Sequence, residues 1–240
     1  MIDRRRLFAL CAALAMAPLP GQAQSPPRPA IQPAPVAPLS APPVVTARVR
    51  LATSEGPIVI DLFGRNAPVT VANFLRYVDK GLYTGAAFYR ASRIEGAPGQ
   101  GLIQGGLRDS PDRLAPIRHE STLRTGLRHT DGTISMGRFE PGTATSEFFI
   151  LSGDAPELDA DPAQKGDNQG FAAFGRVSEG MDTVRKILAK PLAPTGGPAA
   201  MRGEILKRPV PILYATRLGA EAVPPALATS TAGSAPPRQE

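Results

Sequence analysis

Short apolar runs that alternate with polar residues at a period of two dominate residues 46–218 of this 240-residue chain. The first run covers residues 47–51, and the second covers residues 58–62 after the turn-forming pair Gly56-Pro57. Because neighbouring side chains of a strand point to opposite faces, this alternation predicts two half-buried strands joined as a β-hairpin. Further short β-like runs, separated by glycine-rich turns, cover residues 87–90, 102–104, 133–136, 148–151, 171–177 and 209–218.

The apolar period changes to that of an α-helix in two segments. The first has the spacing i, i+3, i+4, i+7, in residues Val71, Phe74, Leu75 and Val78. Pro68 near its first turn and Gly81 after its end are typical start and stop residues of a helix. A second, shorter helix is predicted over residues 181–188, after Gly180. Many short strands with two helices indicate a mainly β fold, a closed barrel plugged at its ends rather than a parallel sheet.

The two ends of the chain have compositions that do not support a folded core. Residues 24–45 contain eight prolines, with Ala, Gln and Ser between them, and predict a disordered, extended linker. Residues 219–240 are rich in Ala, Pro, Ser and Thr and predict a disordered tail. The folded domain is therefore predicted to cover residues 46–218.

The first 23 residues have the organisation of a secretory signal peptide. Arginines at positions 4–6 precede an apolar run of residues 7–19, and Gly21-Gln22-Ala23 offers small residues for cleavage after Ala23. The run is too short to span a bilayer permanently. Arg5-Arg6 also fits a twin-arginine export signal, so the Sec and the twin-arginine routes both stay open. We therefore predict a periplasmic or secreted protein.

Composition limits the partners and the chemistry. The net charge is +6, but no Lys/Arg cluster is interleaved with aromatic residues, so we predict no nucleic-acid partner. The single cysteine, Cys11, lies in the predicted signal peptide, which removes disulfides and thiol chemistry from the processed chain. No cofactor or metal is implied, and we expect a monomer without a permanent membrane span.

Motifs of conventional catalysis are poorly supported. The glycines of residues 99–106 lack the spacing of a dinucleotide loop, and the glycines around Ser135 are wrongly placed for a hydrolase nucleophile. The two histidines, His119 and His129, are interpreted as surface residues of a polar connecting segment. Four aspartates between positions 154 and 167 lack calcium-loop spacing and are interpreted as part of a solvated loop.

Seven short segments nevertheless form a specific series. They are residues 67–74 (APVTVANF), 88–90 (FYR), 102–106 (LIQGG), 132–136 (GTISM), 146–150 (SEFFI), 174–177 (FGRV) and 180–182 (GMD). In this order they resemble the cyclophilin family of peptidyl-prolyl cis/trans isomerases, over nearly the whole predicted domain. The resemblance implies a closed eight-stranded antiparallel β-barrel capped by two α-helices. It also implies an enzyme that accelerates X-Pro isomerisation in proline-containing polypeptides.

The resemblance extends to individual site residues. Arg90 matches an arginine that donates towards the substrate's imide nitrogen, and Gln104 matches a glutamine that orients this arginine and the substrate backbone. Because about six extra residues separate the two, Arg93 is a rival for the arginine's role. Phe148 is expected in the core. The predicted substrate-binding positions are Leu102, Gly137, Glu147, Phe149, Leu158 and Phe171.

Several positions depart from the family pattern. Gly101 replaces the usual pocket phenylalanine, Glu147 the usual glutamine, and Glu157 a residue that is often tryptophan, while residues 160–169 form an insertion. Shallow pocket walls and an acidic rim would either weaken turnover or shift the preferred residue before proline. The main hypothesis is an isomerase that assists the folding of exported proteins. The alternatives are a weakly active or inactive chaperone or scaffold that binds proline-containing peptides, and a structural barrel attached through its proline-rich arm.

Overall fold

The structure is a computed structural model, and it describes residues 42–108, 110–163, 165–195 and 197–219. The predicted signal peptide, most of the predicted linker and nearly all of the predicted tail lie outside the described residues. Across those described ranges, no helix is both long and apolar enough to cross a membrane.

Eight antiparallel strands form a closed barrel in the order β1-β2-β7-β5-β6-β4-β3-β8, with β8 paired back to β1. The strands are β1 Ala47–Thr53, β2 Gly56–Leu62, β3 Ala87–Arg93, β4 Gly101–Gly106, β5 Thr133–Met136, β6 Phe148–Ser152, β7 Ala172–Glu179 and β8 Ile205–Leu218. The predicted fold class, a mainly β chain with an eight-stranded antiparallel barrel, is confirmed. Closure pairs each strand on both sides, so the barrel has no open edge.

The first hairpin has its turn two residues earlier than the sequence predicts. Pairing of β1 with β2 continues to Thr53 and Gly56, which leaves Ser54 and Glu55 as the turn. Thr53 Oγ1 donates to the Gly56 carbonyl over 2.6 Å and accepts from the Glu55 N–H over 3.1 Å. The threonine side chain thus closes the turn, and Gly56-Pro57 begins the second strand instead.

The helices α1 (Pro68–Asp79) and α3 (Met181–Leu188) confirm the two predicted helical segments. Their buried residues join those of the strands in one apolar core. Phe74 of α1 lies 5.3 Å from Tyr83 and 5.6 Å from Phe148, measured between ring centroids. Phe148 is fully buried, as predicted. A further one-turn helix, α2 (Thr122–Thr125), is not predicted because four residues carry no apolar period.

A distant carboxylate supports the start of α1, where no local side chain caps the helix. Glu120 Oε2 accepts hydrogen bonds from the Thr70 backbone N–H over 2.9 Å and from Thr70 Oγ1 over 2.8 Å. Its other oxygen accepts from the Val69 N–H over 3.2 Å. A negative charge at this end satisfies free N–H groups and complements the helix dipole, so a buried acid is stabilised there.

Candidate active site

Strands β3 and β4 bring Arg90 and Gln104 side by side on the barrel wall. Phe88 pairs with Gly105 and Arg90 with Gln104, so Tyr89 is an extra residue on β3. Such a β-bulge changes the direction in which side chains point. Here it allows both Tyr89 and Arg90 to reach Gln104, so the structure brings together the two residues that the resemblance predicts as catalytic.

A continuous hydrogen-bond chain runs from Arg90 to Glu147. Arg90 Nη1 donates to Gln104 Oε1 over 2.8 Å, and Gln104 Nε2 donates to the Tyr89 hydroxyl over 2.9 Å. Tyr89 in turn donates to Glu147 Oε2. Since the hydroxyl hydrogen is used on Glu147, Tyr89 can only accept from Gln104, which fixes the orientation of the amide. Burial, and then the charge of Glu147, raise the pKa of the Tyr89 hydroxyl far above its ordinary value.

The Glu147 carboxylate accepts hydrogen bonds from three protein donors. Its Oε1 accepts from the Arg108 backbone N–H over 2.6 Å and from Ser146 Oγ over 3.3 Å, while Oε2 accepts from Tyr89. Three protein donors thus fix the orientation of this carboxylate, and the acidic rim expected from Glu147 stays a prediction.

A second carboxylate holds the other edge of the Arg90 guanidinium. Arg90 Nε donates to Glu204 Oε2 over 2.7 Å, and Nη2 lies 2.6 Å from the same oxygen. Ser92 Oγ donates to Glu204 Oε1 over 2.7 Å. Glu204 was not among the predicted site residues, since no motif of the sequence marks it.

Arg93, the rival of Arg90, is directed elsewhere. Its Nε donates to the Leu188 carbonyl over 2.8 Å and its Nη2 to the Lys190 carbonyl. Both acceptors belong to the C-terminal end of α3, where carbonyls lack partners within the helix and a cation is favourable. The structure thus separates the two arginines and leaves Arg90 beside Gln104.

An apolar cluster lies next to Arg90. Phe149, Leu151 and Ala155 are buried in it, and Leu102, Leu158 and Phe171 pack against them. The rings of Phe149 and Phe171 meet edge to face, with centroids 5.4 Å apart. Leu102 and Leu158 line a cavity of about 260 Å³ that also contacts Arg90. Four predicted substrate-binding residues therefore lie in one apolar cluster: Leu102, Phe149, Leu158 and Phe171.

Gly101 has no side chain that could form a wall of the small cavity, and Ile94 forms part of that wall instead. At Gly101 the φ angle is +141°, and a Cβ atom would lie 2.0 Å from the Ser92 carbonyl oxygen, so this backbone cannot carry a phenylalanine. Ile94, whose exposed fraction is 45%, lines the same cavity as Leu102. Ile94 is one of the extra residues between Arg90 and Gln104. This insertion is the feature of the sequence that could have indicated an additional cavity residue.

A second, larger cavity of about 610 Å³ is lined by Gln104 and not by Arg90. Gln104, Gly137 and Glu147 form part of its lining, together with Arg108 and the strongly exposed Phe139. Gly137 N donates to the Glu147 carbonyl over 2.8 Å. A Cβ atom at Gly137 would lie 3.2 Å from Glu147 Cβ and 3.4 Å from Gln104 Nε2. Gly137 thus allows close packing of the wall rather than binding through a side chain.

The prediction that His129 lies on the surface is wrong. Its side chain is fully buried, with Nδ1 2.7 Å from Asp159 Oδ1 and Nε2 3.0 Å from Ser135 Oγ. Asp159 is buried too, so the aspartate loop is not solvated throughout. The ring stacks on Phe149 at a centroid distance of 6.1 Å. Ser135 is fully buried, which prevents this Ser-His-Asp group from meeting a substrate.

The inserted loop is attached beside Phe171. Arg138 Nη1 donates to Asp167 Oδ2 over 2.7 Å, and Nη2 donates to Asp167 Oδ1 over 3.0 Å. The Arg138 guanidinium also lies 5.1 Å from the centre of the Phe171 ring. The hydrogen bonds from Arg138 lower the pKa of Asp167 to about 2. Arg138 therefore links the insertion to the apolar cluster.

Comparison with known proteins agrees with this geometry. The family model of cyclophilin type peptidyl-prolyl cis-trans isomerases matches residues 48–214. A peptidyl-prolyl cis-trans isomerase of Acinetobacter baylyi is 34% identical over 180 residues, covering 73% of this chain and 87% of the relative. Peptidyl-prolyl cis-trans isomerase B of Escherichia coli is 37% identical over 141 residues, covering 56% of this chain and 80% of the relative.

Solved structures show the same fold at lower identity. A cyclophilin-type isomerase of Cryptosporidium parvum superposes with a TM-score of 0.57 at 20% identity, covering 72% of this chain and 98% of that one. The same protein was also crystallised in the presence of the dipeptide Ala-Pro, and that structure superposes with a TM-score of 0.56. From the matched residues and the barrel we conclude that this chain belongs to the family of cyclophilin-type peptidyl-prolyl cis-trans isomerases.

Proposed function

We propose that the chain catalyses cis/trans isomerisation of X-Pro bonds at the Arg90–Gln104 pair, and that it assists the folding of exported proteins. The observation that carries the catalytic part is the position of Arg90. Arg90 lines the small apolar cavity, while its hydrogen-bond partner Gln104 lines the large one. A chain crossing this pair would place a proline ring on one side and the preceding residues on the other.

The chemistry requires no nucleophile. Resonance between the carbonyl and the imide nitrogen creates a rotation barrier of roughly 18–20 kcal/mol. When the bond twists, the nitrogen lone pair is released and becomes a hydrogen-bond acceptor. A donor from Arg90 to that nitrogen is stronger in the twisted state than in the planar one, which is the condition for faster rotation. The apolar cluster would bind the proline ring and exclude water from the contact.

A protease-free peptide assay tests the catalytic proposal. The full chain and a Phe149→Ala variant are compared for their effect on the cis/trans exchange rate of an Ala-Pro peptide. We expect wild type to accelerate exchange. Because Phe149 supports the cavity wall, the variant should bind the peptide about tenfold more weakly, and its acceleration at a subsaturating peptide concentration should fall by a similar factor. If wild type binds the peptide but leaves the exchange rate unchanged, the catalytic proposal is wrong and the protein is a proline-binding module.

The folding role follows from the slow step that such an enzyme removes. Uncatalysed X-Pro isomerisation takes tens of seconds and often limits refolding. We propose exported, proline-containing polypeptides as the substrates, since the first 23 residues have the order of a signal peptide. Substoichiometric wild-type protein should accelerate the proline-limited refolding phase of such a client. If Arg90→Ala accelerates that phase as much as wild type does, isomerisation is excluded as the cause of the acceleration.

Export is tested separately by expressing the full chain in a Gram-negative host and sequencing the N-terminus of the fractionated product. We expect a periplasmic protein that begins at Gln24. A product that keeps Met1 and stays in the cytoplasm would contradict the export proposal. Replacing Arg5-Arg6 by two lysines distinguishes the routes, since loss of export would indicate the twin-arginine pathway.

A further inference from the structure

The Arg90 guanidinium is held on two edges by different partners. The Nε and Nη2 side faces Glu204, and Nη1 faces Gln104. A guanidinium carries five N–H donors. These partners therefore leave at least one N–H on each terminal nitrogen, and the two terminal nitrogens are the part of Arg90 that a bound peptide could meet.

The backbone locates the Glu204 carboxylate. Glu204 lies directly before β8, and its carbonyl accepts a hydrogen bond from the Ala91 N–H over 2.8 Å. This bond places Glu204 beside Ala91, which lies between Arg90 and Ser92 on β3. From there one carboxylate oxygen reaches Arg90 and the other reaches Ser92, both over 2.7 Å.

The ion pair is partly shielded from water. The exposed fractions of the Arg90 and Glu204 side chains are 20% and 31%. Exposed ion pairs stabilise proteins little, because water competes and both side chains lose freedom. Here the Ser92 hydrogen bond and the backbone contact reduce that loss of freedom at Glu204, since the carboxylate is already oriented before Arg90 binds it.

We propose that Glu204 is a positioning residue, which together with Ser92 orients the Arg90 guanidinium for isomerisation. This inference rests on the proposed function of Arg90. Glu204 does not touch the substrate in this account; it limits rotation of the guanidinium so that its remaining N–H groups keep one direction. Precise orientation matters more in the transition state than in the ground state, so the expected effect falls on kcat.

The alternative is that Glu204 competes with the substrate for Arg90. The two ideas predict opposite results for Glu204→Ala. Loss of a positioning residue slows catalysis, whereas loss of a competitor accelerates it or lowers KM. Since the carboxylate faces the Nε edge and not both terminal nitrogens, the geometry favours positioning.

The test compares wild type and four variants of the full chain by NMR exchange of an X-Pro peptide over a range of peptide concentrations. For Glu204→Ala we expect kcat to fall about tenfold with KM changed less than about twofold. Glu204→Gln keeps an oxygen for Arg90 and an amide donor for the Ser92 hydroxyl, so kcat should return to within about threefold of wild type. Glu95→Ala, an exposed carboxylate beyond the same strand, should behave as wild type.

A spectroscopic readout separates positioning from a general loss of structure. The Nε–Hε signal of Arg90 in ¹⁵N-labelled protein is identified by its loss in Arg90→Ala. It should exchange with water faster in Glu204→Ala and remain protected in Glu204→Gln, while the core amides are unchanged. Ser92→Ala, which removes one of the two contacts of the carboxylate, should give an intermediate kcat.

The outcomes are distinguishable. If wild type accelerates exchange but Glu204→Ala keeps its kcat or exceeds it, the positioning proposal is wrong and the function of Arg90 stands. If wild type does not accelerate exchange, the proposed function itself fails, and the positioning role fails with it.

Discussion

The Tyr89 hydroxyl donates a hydrogen bond to Oε2 of Glu147, and this contact ends the chain that runs through Gln104 to Arg90. The two residues lie 58 positions apart in the sequence and meet because β4 pairs with both β3 and β6. Hydrogen bonds in such a chain polarise one another in a low-dielectric environment. A carboxylate three hydrogen bonds away from Arg90 thus influences the orientation of Gln104 and Arg90.

Tyr89→Phe should lower kcat/KM about threefold to tenfold, because it removes the acceptor of the Gln104 amide and leaves a buried donor without its partner. Tyr214→Phe is the matched control, since Tyr214 is about half exposed on β8. The measurement is peptide exchange by NMR with both variants. Equal rates for Tyr89→Phe and wild type would show that the hydrogen bonds from Tyr89 to Gln104 and Glu147 do not contribute to catalysis.

Ile94→Ala should weaken binding of proline peptides by about threefold to tenfold, because the truncated side chain no longer covers the small cavity. Its effect on the free energy of unfolding should stay within about 0.5 kcal/mol, since Ile94 is 45% exposed. Titration followed by chemical shift changes gives the affinity. Leu213→Ala, at 51% exposure on β8, is the control and should bind as wild type does.

Gly101→Ala should lower the free energy of unfolding by about 2–4 kcal/mol, because a Cβ atom there would lie 2.0 Å from a backbone oxygen at a positive φ. Gly96→Ala provides the comparison: its φ is also positive, at +76°, but no atom lies within 4 Å of the added carbon. For Gly96→Ala we expect the free energy of unfolding to fall by about 1–2 kcal/mol. Urea unfolding measures both, and equal losses would contradict the proposed close contact at Gly101.

Stability should decrease as the pH falls from 7.5 to 5.5. Burial lowers the pKa of His129 below its ordinary value of 6.5, although Asp159 opposes this shift. The unfolded chain then binds a proton that the folded chain does not, so the stability is complete above pH 6.5 and decreases below it. The slope is at most about 1.4 kcal/mol per pH unit for one proton.

Replacement of the histidine isolates this effect. His129→Gln should lower stability at pH 7.5, because the contacts with Asp159 and Ser135 are disturbed, but it should flatten the pH dependence. Burial also lowers the pKa of the more accessible His119, so His119→Gln should keep the larger part of the slope. Denaturant unfolding at several pH values gives these slopes. An unchanged slope in His129→Gln would show that another group titrates.

Much of the fold and part of the site could be predicted from local sequence. The apolar period of residues 71–78 is a property of the helix itself, and the segments around Arg90 and Gln104 are short motifs. The position of Glu204 could not be predicted, because it depends on the pairing of β8 with β3 across 114 positions. His129 was misjudged because its flanking residues are polar, although its partners Asp159 and Ser135 satisfy both ring nitrogens in the interior.

The central claim is that Arg90, and not Arg93, promotes rotation of the X-Pro bond. The most direct test measures cis/trans exchange of one X-Pro peptide by NMR with wild type, Arg90→Ala and Arg93→Ala. We predict that wild type accelerates exchange and that Arg90→Ala loses about tenfold or more while it remains folded. Arg93→Ala, which only removes contacts to the end of α3, should retain the wild-type rate. Full activity in Arg90→Ala, or its loss in a folded Arg93→Ala, would contradict this account.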